Sequence, residues 1–213
     1  MYVASGIQLY VESYYKVGTT KASLMLPTIA FLNAFLQLFT VRFIQRNVEP
    51  KLLVAIGAVC NLGCLVGALY SDNYWMFFSL FTMGSGLNTA WAYLVTTHHS
   101  WLWFPQNPGL ASGICLSGCG VGALVFNAII NAVMNPDNLD YTNPCPGVVD
   151  ANYGCYPPSV DDNFRKMILV LIGCYSGFAL IGIVFIWKGP IVAGSEWNRL
   201  RNVDSELRSS NSI

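Results

Sequence analysis

Few side chains in this 213-residue chain are of the kinds that make or break bonds. His98 and His99 are adjacent; on a helix such neighbours point about 100° apart and do not form a metal pair. They stand beside Trp101 and Trp103, a grouping that fits anchoring at a membrane–water boundary. Cys60 and Cys64, and likewise Cys115 and Cys119, are four apart and share a helical face. No His or carboxylate accompanies either pair, so packing by small polarizable groups is favoured over metal ligation. No GxGxxG, phosphate-binding loop or HExxH occurs. The reading is therefore no catalytic residue, no metal site, no cofactor, and a protein that is not an enzyme.

Hydrogen-bonding chemistry inside apolar sequence is what remains. Asn33, Gln37, Asn61, Asn88, Thr89, Asn127 and Asn131 interrupt otherwise apolar runs. A buried amide in lipid needs a partner or an aqueous cavity. Asn88, beside Trp91 and Tyr93, either lines a solute path or bonds a neighbouring helix. Asn127 and Asn131, one turn apart, carry the same two readings. Tyr10, Tyr14 and Tyr15 either form an interfacial belt or face a cavity in which phenols donate to an anion.

The elements that hold these residues are long and greasy. Of all residues 54% are hydrophobic and 10% charged, against about 25% charged in a soluble domain. No Asp, Glu, Lys or Arg occurs from Asn73 to Pro136. A helix crosses the hydrocarbon core with about 20 residues, and five runs meet that length: 22–41, 52–71, 74–97, 110–135 and 167–187. They lack the strict alternation of barrel strands. Residues 1–11 are also uncharged, but eleven residues rise only about 16 Å, half a membrane, so a missing N-terminus is expected. The lipid bilayer is thus a partner. Nucleic acid is not, because no Lys/Arg cluster is present to meet phosphates.

Charge sets the orientation. Lys and Arg concentrate on the cytoplasmic side. Arg42, Arg46 and Lys51 fall on one side with Lys188, Arg199, Arg201 and Arg208; Lys16, Lys21, Arg165 and Lys166 fall on the other. The 136–163 loop then faces outside or a lumen, where a disulfide between Cys145 and Cys155 is permitted. Residues 189–213 read as a cytoplasmic linker or disordered tail. Gly63/Gly67, Gly109/Gly113 and Gly118/Gly122, with Gly120 between the last two, have the spacing that lets membrane helices approach closely. Gly113, Gly118, Gly120 and Gly122 are the expected helix-packing positions, in a static bundle or a moving one.

Residues 103–126 read WFPQNPGLASGICLSGCGVGALVF. This stretch resembles the loop and fifth helix of major facilitator transporters, most closely the oxalate/formate antiporter-like and monocarboxylate transporter-like branches. Trp103, Phe104 and Pro105 match, as do Gly109, Leu110, Ala111 and Gly113, and then Gly118, Gly120, Gly122, Ala123 and Phe126. Pro108 stands where those branches usually carry a basic residue. A second similarity lies in TVRFIQRNVEPK, residues 40–51, at the loop that helps gate the family's alternating access. Arg46, Pro50 and Lys51 fit its pattern, while Gln45 replaces the acidic position and Thr40 and Glu49 the glycines. NPDNL, residues 135–139, is similar to the outer loop of protist members of the branch.

The resemblance implies an all-α polytopic bundle, the partial N-terminal six-helix half of a twelve-helix fold. Residues 1–188 form it, with 1–16 the back half of helix one and the five runs helices two to six. It implies alternating-access transport of a small solute, perhaps a carboxylate, at the midplane. Tyr14, Asn88 and Trp91 are the expected wall residues, acting by hydrogen bonding and shape. A countercharge for a carboxylate would reside in the missing C-terminal half, or the solute is neutral; that missing half or a partner subunit is the expected protein partner. The alternative is a non-transporting membrane subunit that binds a partner. For this class the plasma membrane is expected before an organelle membrane.

Overall fold

The computed structural model of the chain describes residues 3–46, 48–146 and 153–186. The tail expected at 189–213, and Trp187 at the end of the last run, lie outside these. Among the described residues, six helices of 13 residues or more carry the fold. They are α1 (Val3–Tyr15), α3 (Met25–Gln45), α4 (Pro50–Leu69), α5 (Tyr74–Trp103), α6 (Pro108–Met134) and α8 (Phe164–Phe185), with α2 (Thr19–Ser23) and α7 (Pro158–Asp161) as short additions.

Local chemistry explains the boundaries. α1 ends in a Schellman motif: Val17 N–H donates to Glu12 O and Lys16 N–H to Ser13 O, with Lys16 left-handed at φ 51. α2 and α3 are one hydrophobic stretch broken at Leu24. Pro27 offers no N–H to the Ser23 carbonyl, and its ring excludes that carbonyl from a straight helix. Pro50 and Pro108 open α4 and α6 at the first turn, where the missing N–H is not needed. The Asn73 side chain caps α5 by accepting from Trp75 N–H at 2.9 Å. Asn135 closes α6, its amide both accepting from Leu139 N–H and donating to Leu139 O. That exchange gives the NPDNL segment a structural role.

Among the described residues four segments are long and apolar enough to cross a membrane: Thr19–Gln45, Pro50–Leu69, Pro108–Met134 and Pro158–Phe185. Phe31, Leu38, Val59, Leu124, Val184 and Phe185 stand exposed on them, a surface that lipid tails solvate and water does not. The protein is a multi-pass helical membrane bundle. α5, the third of the five expected spans, has 30 residues and no charge but is more polar than these four. Three of its hydroxyls are satisfied within the helix: Ser79, Thr82 and Thr89 each donate to the carbonyl four residues back.

α5 packs between α4 and α3. Two glycines make this possible. A Cβ on Gly84 would lie 2.7 Å from Cys64 Cβ of α4, and one on Gly86 would lie 2.9 Å from Leu32 Cβ of α3. Residues two apart on a helix point in nearly opposite directions, so each glycine admits one neighbour. α1 crosses α6 in the same way, with Gly6 against the Asn127 amide and Tyr10 OH donating to Asn131 Oδ1 at 3.0 Å. By contrast, a Cβ on Gly109, Gly113, Gly118, Gly120 or Gly122 would meet nothing within 4 Å. Among the described residues, the α6 glycines expected to pack face no neighbouring helix.

The main core lies at the end of the bundle that carries the 136–163 loop, called outer here. Ile7, Val11, Met25, Phe77, Phe164 and Leu171 are buried together there. Cys145 and Cys155 are disulfide-bonded, and the segment around them docks on α1. Glu12, fully buried at 0% exposure, accepts from Gly154 N–H and Thr19 Oγ1, each at 2.8 Å. Ser13 accepts from Tyr156 N–H and donates to Asp161. Tyr10 and Tyr156 stack at 5.0 Å. Burial, and then the Glu12 carboxylate, push the Tyr141 phenol up to about 12.

Candidate functional site

Toward the opposite, inner end the helices part. A cavity of about 530 Å³ opens between α3, α5, α6 and α8. Asn33 and Gln37 reach it from α3, where Gln37 Nε2 donates to Asn33 Oδ1 at 3.2 Å. From α5 come Asn88, Thr89, Tyr93, Thr96 and Thr97. The α6 wall is smaller and more apolar, with Cys115, Cys119, Gly122, Ala123 and Phe126. Tyr175 of α8 completes it, stacked on Phe126 at 5.0 Å. A second cavity of about 500 Å³, mostly apolar, lies between α4, α5 and α8; the two share Asn88, Ala92, Thr96 and Tyr175.

The spacing of Asn88, Ala92 and Thr96 explains why one strip of α5 borders both cavities. Residues four apart share a helical face; the same row begins at Gly84, packed on α4, while Gly86 on the opposite side meets α3. Asn88 lies about 21 Å along α5 from Tyr74, past the middle of a hydrocarbon core of about 30 Å. The described lining contains no Asp, Glu, Lys or Arg. It offers amide and hydroxyl hydrogen bonds, a narrow stack of aromatic rings and two thiols. Thr97 Oγ1 is buried there without a hydrogen-bond partner among the described residues. A small polar solute fits such a wall by shape and hydrogen bonding.

The three expected wall residues part company. Asn88 borders both cavities. Trp91, one residue-step around α5 from the cavity strip, packs on Gly57 of α4 and meets Phe43 edge-on at 6.4 Å. Tyr14 lies in the outer aromatic cluster, stacked on Phe164 at 4.2 Å, because α1 ends there. Asn127 and Asn131 contact α1. On the expected gating loop, Arg46 caps the C-terminus of α3, Pro50 opens α4 and Lys51 follows in its first turn; together they join the inner ends of the two helices. Among the described residues no group of three His, Cys, Asp or Glu is placed to hold a metal ion.

Sequence reading passed over Thr96, Thr97, Tyr175 and the cavity position of Cys115 and Cys119. A four-residue step from Asn88 reaches Thr96, so that signal was available. Tyr175 had none, since its place depends on how α8 lies across α5. In the sequence Glu12 is only the charge that follows the uncharged run 1–11.

No protein-family model matches the chain. Over 93 residues, 43% of its length, the chain is 28% identical to the apicoplast pyruvate carrier 1 of Toxoplasma gondii. The matched stretch is 17% of that carrier, so the chain spans a small part of the relative it resembles. With the cavity and the spans, this likeness to a carrier of a carboxylate supports a general role in membrane transport.

Proposed function

We propose that this bundle is part of a membrane carrier for a small carboxylate, of which pyruvate is the first to test. The uncharged, hydrogen-bonding cavity between α3, α5, α6 and α8 carries the reading. A small acid there would accept from Asn88 and Thr96, and from Thr97, whose hydroxyl is otherwise unmatched. An ionised carboxylate in low dielectric needs a cation, and the described lining supplies none. The countercharge is therefore assigned to the complementary part of the carrier, meeting this wall across the solute.

Movement would be rocking of this bundle against its complement around the midplane site. The Arg46–Lys51 turn, at the inner ends of α3 and α4, is placed to meet that complement when the inner side closes. The major facilitator likeness of residues 103–126 and 40–51 supports this assignment. For location, the plasma membrane is weighed against an organelle membrane by fractionation, since the relative's name places it in an apicoplast.

The test is uptake of radiolabelled pyruvate and a panel of small acids by liposomes holding the carrier as purified from its own cells. Saturable uptake is expected, reduced at least about tenfold by Asn88→Ala if one hydrogen bond of about 1.5–3 kcal/mol to a charged group is lost. Uptake no greater than in protein-free liposomes across the panel overturns the carrier reading and leaves a non-transporting membrane subunit.

A further inference from the structure

Asn33 and Gln37 stand one turn apart on α3 and share a face that lines the first cavity. Gln37 Nε2 donates to Asn33 Oδ1 at 3.2 Å. Each amide carries one carbonyl oxygen and two N–H groups. Their mutual bond engages one oxygen and one N–H. Among the described residues the other carbonyl oxygen accepts nothing, and it borders the cavity. Turning both amides over leaves the same inventory, with the free oxygen moved to Asn33.

Thr89 of α5 adds a second oxygen of this kind. Its proton goes to Ser85 O at 2.7 Å, so its own oxygen can only accept. The two oxygens lie at one depth. A Cβ on Gly86 would lie 3.8 Å from Asn33 N. α3 and α5 both run inward, and Gln37 and Thr89 follow Asn33 and Gly86 by about one turn each. Asn33, Gln37 and Thr89 line the first cavity and not the second.

We propose that the Asn33–Gln37 pair is a specificity subsite that recognises a hydroxyl on the solute, so that 2-hydroxy acids are taken ahead of 2-keto acids of the same carbon skeleton. This rests on the carrier reading above and deepens it. A wall of accepting oxygens needs a donor in front of it. A carboxylate brings only oxygens, so it is kept at Asn88, whose amide N–H groups lie about 100° further around α5 from Thr89. A hydroxyl on the adjoining carbon matches the pair in both directions: its proton goes to the free amide oxygen, and its oxygen accepts from an amide N–H. A keto oxygen uses the N–H alone and leaves the amide oxygen unmet. The carbon tail then falls toward the apolar α6 side, at Ala123 and Phe126. Three different walls for three substituents also distinguish the two mirror forms of a hydroxy acid.

The size of the preference follows from the setting. Asn33 and Gln37 are half-buried, and a cavity of about 530 Å³ holds water beside a three-carbon acid. That water meets the amide oxygen when a keto acid is bound. The preference is then worth one net hydrogen bond, about two- to tenfold, and not the orders of magnitude of a dry site.

Uptake at concentrations far below saturation tests the subsite, because the ratio of initial rates there is the ratio of kcat/KM. Liposomes hold the carrier purified from its own cells, unaltered or as Asn33→Leu/Gln37→Leu made in the same cells. The solutes are radiolabelled pyruvate and each enantiomer of lactate. In the unaltered carrier one enantiomer should enter at least about twofold faster than pyruvate and than its mirror form. In the double variant both ratios should fall to about one. Gln37→Met, which keeps the Asn33 amide, should lower them part of the way. Each ratio is taken within one preparation, so the amount of folded carrier cancels. Pyruvate entering as fast as both enantiomers in the unaltered carrier, or a preference that survives both variants, overturns the subsite and leaves the carrier reading standing. Uptake of no acid at all sinks the carrier reading, and the subsite with it.

Discussion

At the outer end, Ile7, Val11, Phe77, Phe164 and Leu171 are buried together with partly buried neighbours such as Tyr14, Tyr15 and Phe78 around them, whereas at the inner end, among the described residues, the buried group is Leu53, Val54 and Val95. The outer end also has polar fastenings: Glu12 and Ser13 of α1 hold the disulfide-closed segment, and Tyr15 OH donates to Ser71 O at 2.9 Å. At the inner end the same helices diverge around the cavity. Regions with few buried contacts open first. The contrast teaches that this bundle is fastened at one end and left adaptable at the other, where the cavity lies.

The largest expected effect comes from breaking the fastened end. Phe77, 1% exposed, touches the rings of Tyr15, Phe81 and Phe164. Phe77→Ala should destabilise the bundle by about 3–5 kcal/mol, read as a fall in the unfolding midpoint in mild detergent. Leu53→Ala, in the small inner group, should fall near the bottom of a range of about 2–5 kcal/mol. Equal losses would mean that the two ends are equally dense and would end the comparison.

Glycines sharpen it. Gly84→Leu must displace Cys64 and Asn61 of α4 and should cost about 1–3 kcal/mol by overpacking. Gly113→Leu meets open space and should leave the purified chain's midpoint unchanged. A large loss from Gly113→Leu in the purified chain would show that α6 is already covered by residues 3–186. Glu12→Ala would leave Gly154 N–H and Thr19 Oγ1 without their acceptor, at about 1–3 kcal/mol for a buried unmet group. Faster proteolysis between Tyr153 and Tyr156 reports it.

The docked segment gives a pH dependence. Tyr141 titrates at about 12 in the fold against 10.0 for a free phenol, chiefly through burial and then through Glu12. The folded state binds this proton more tightly, so its contribution is fully present below pH 10.0 and is lost as pH rises through about 12. Tyr141→Phe should remove that alkaline step from the proteolysis profile of the segment. An unchanged profile would assign the step to another group.

Much of this was legible in the residues. The uncharged runs point to long apolar helices, because lipid-spanning length and flanking charge leave little freedom, although α5 runs to Trp103, well past the expected end at 97. Pro27 breaking α2 from α3 was equally local, although its position inside the 22–41 run hid it. Tertiary placement was not local. Nothing in the spacing of Tyr14 or Trp91 says that one lies at the outer end of α1 and the other turns toward Gly57. The α6 glycines formed the most conspicuous motif, yet the close crossings fall at Gly6, Gly84 and Gly86. A glycine permits close approach; only the neighbouring helix decides whether the approach occurs.

The smallest expected effect lies where the fastened end begins. Lys16 ends α1 in the left-handed region at φ 51, a conformation that costs a residue with a Cβ about 1–2 kcal/mol. Glycine there would relieve that cost while enlarging the freedom of the unfolded chain, which offsets part of the gain. Lys16→Gly should therefore raise the unfolding midpoint slightly, by the equivalent of about 0.5–1 kcal/mol. The Schellman bonds from Val17 to Glu12 and from Lys16 to Ser13 are backbone bonds and survive the change. Those two carbonyls belong to the residues whose side chains hold the docked segment, so a firmer helix end should also slow its proteolysis. A lowered midpoint would mean that the Lys16 side chain fastens the outer end in its own right, and the contrast between the ends would be larger than the core alone makes it.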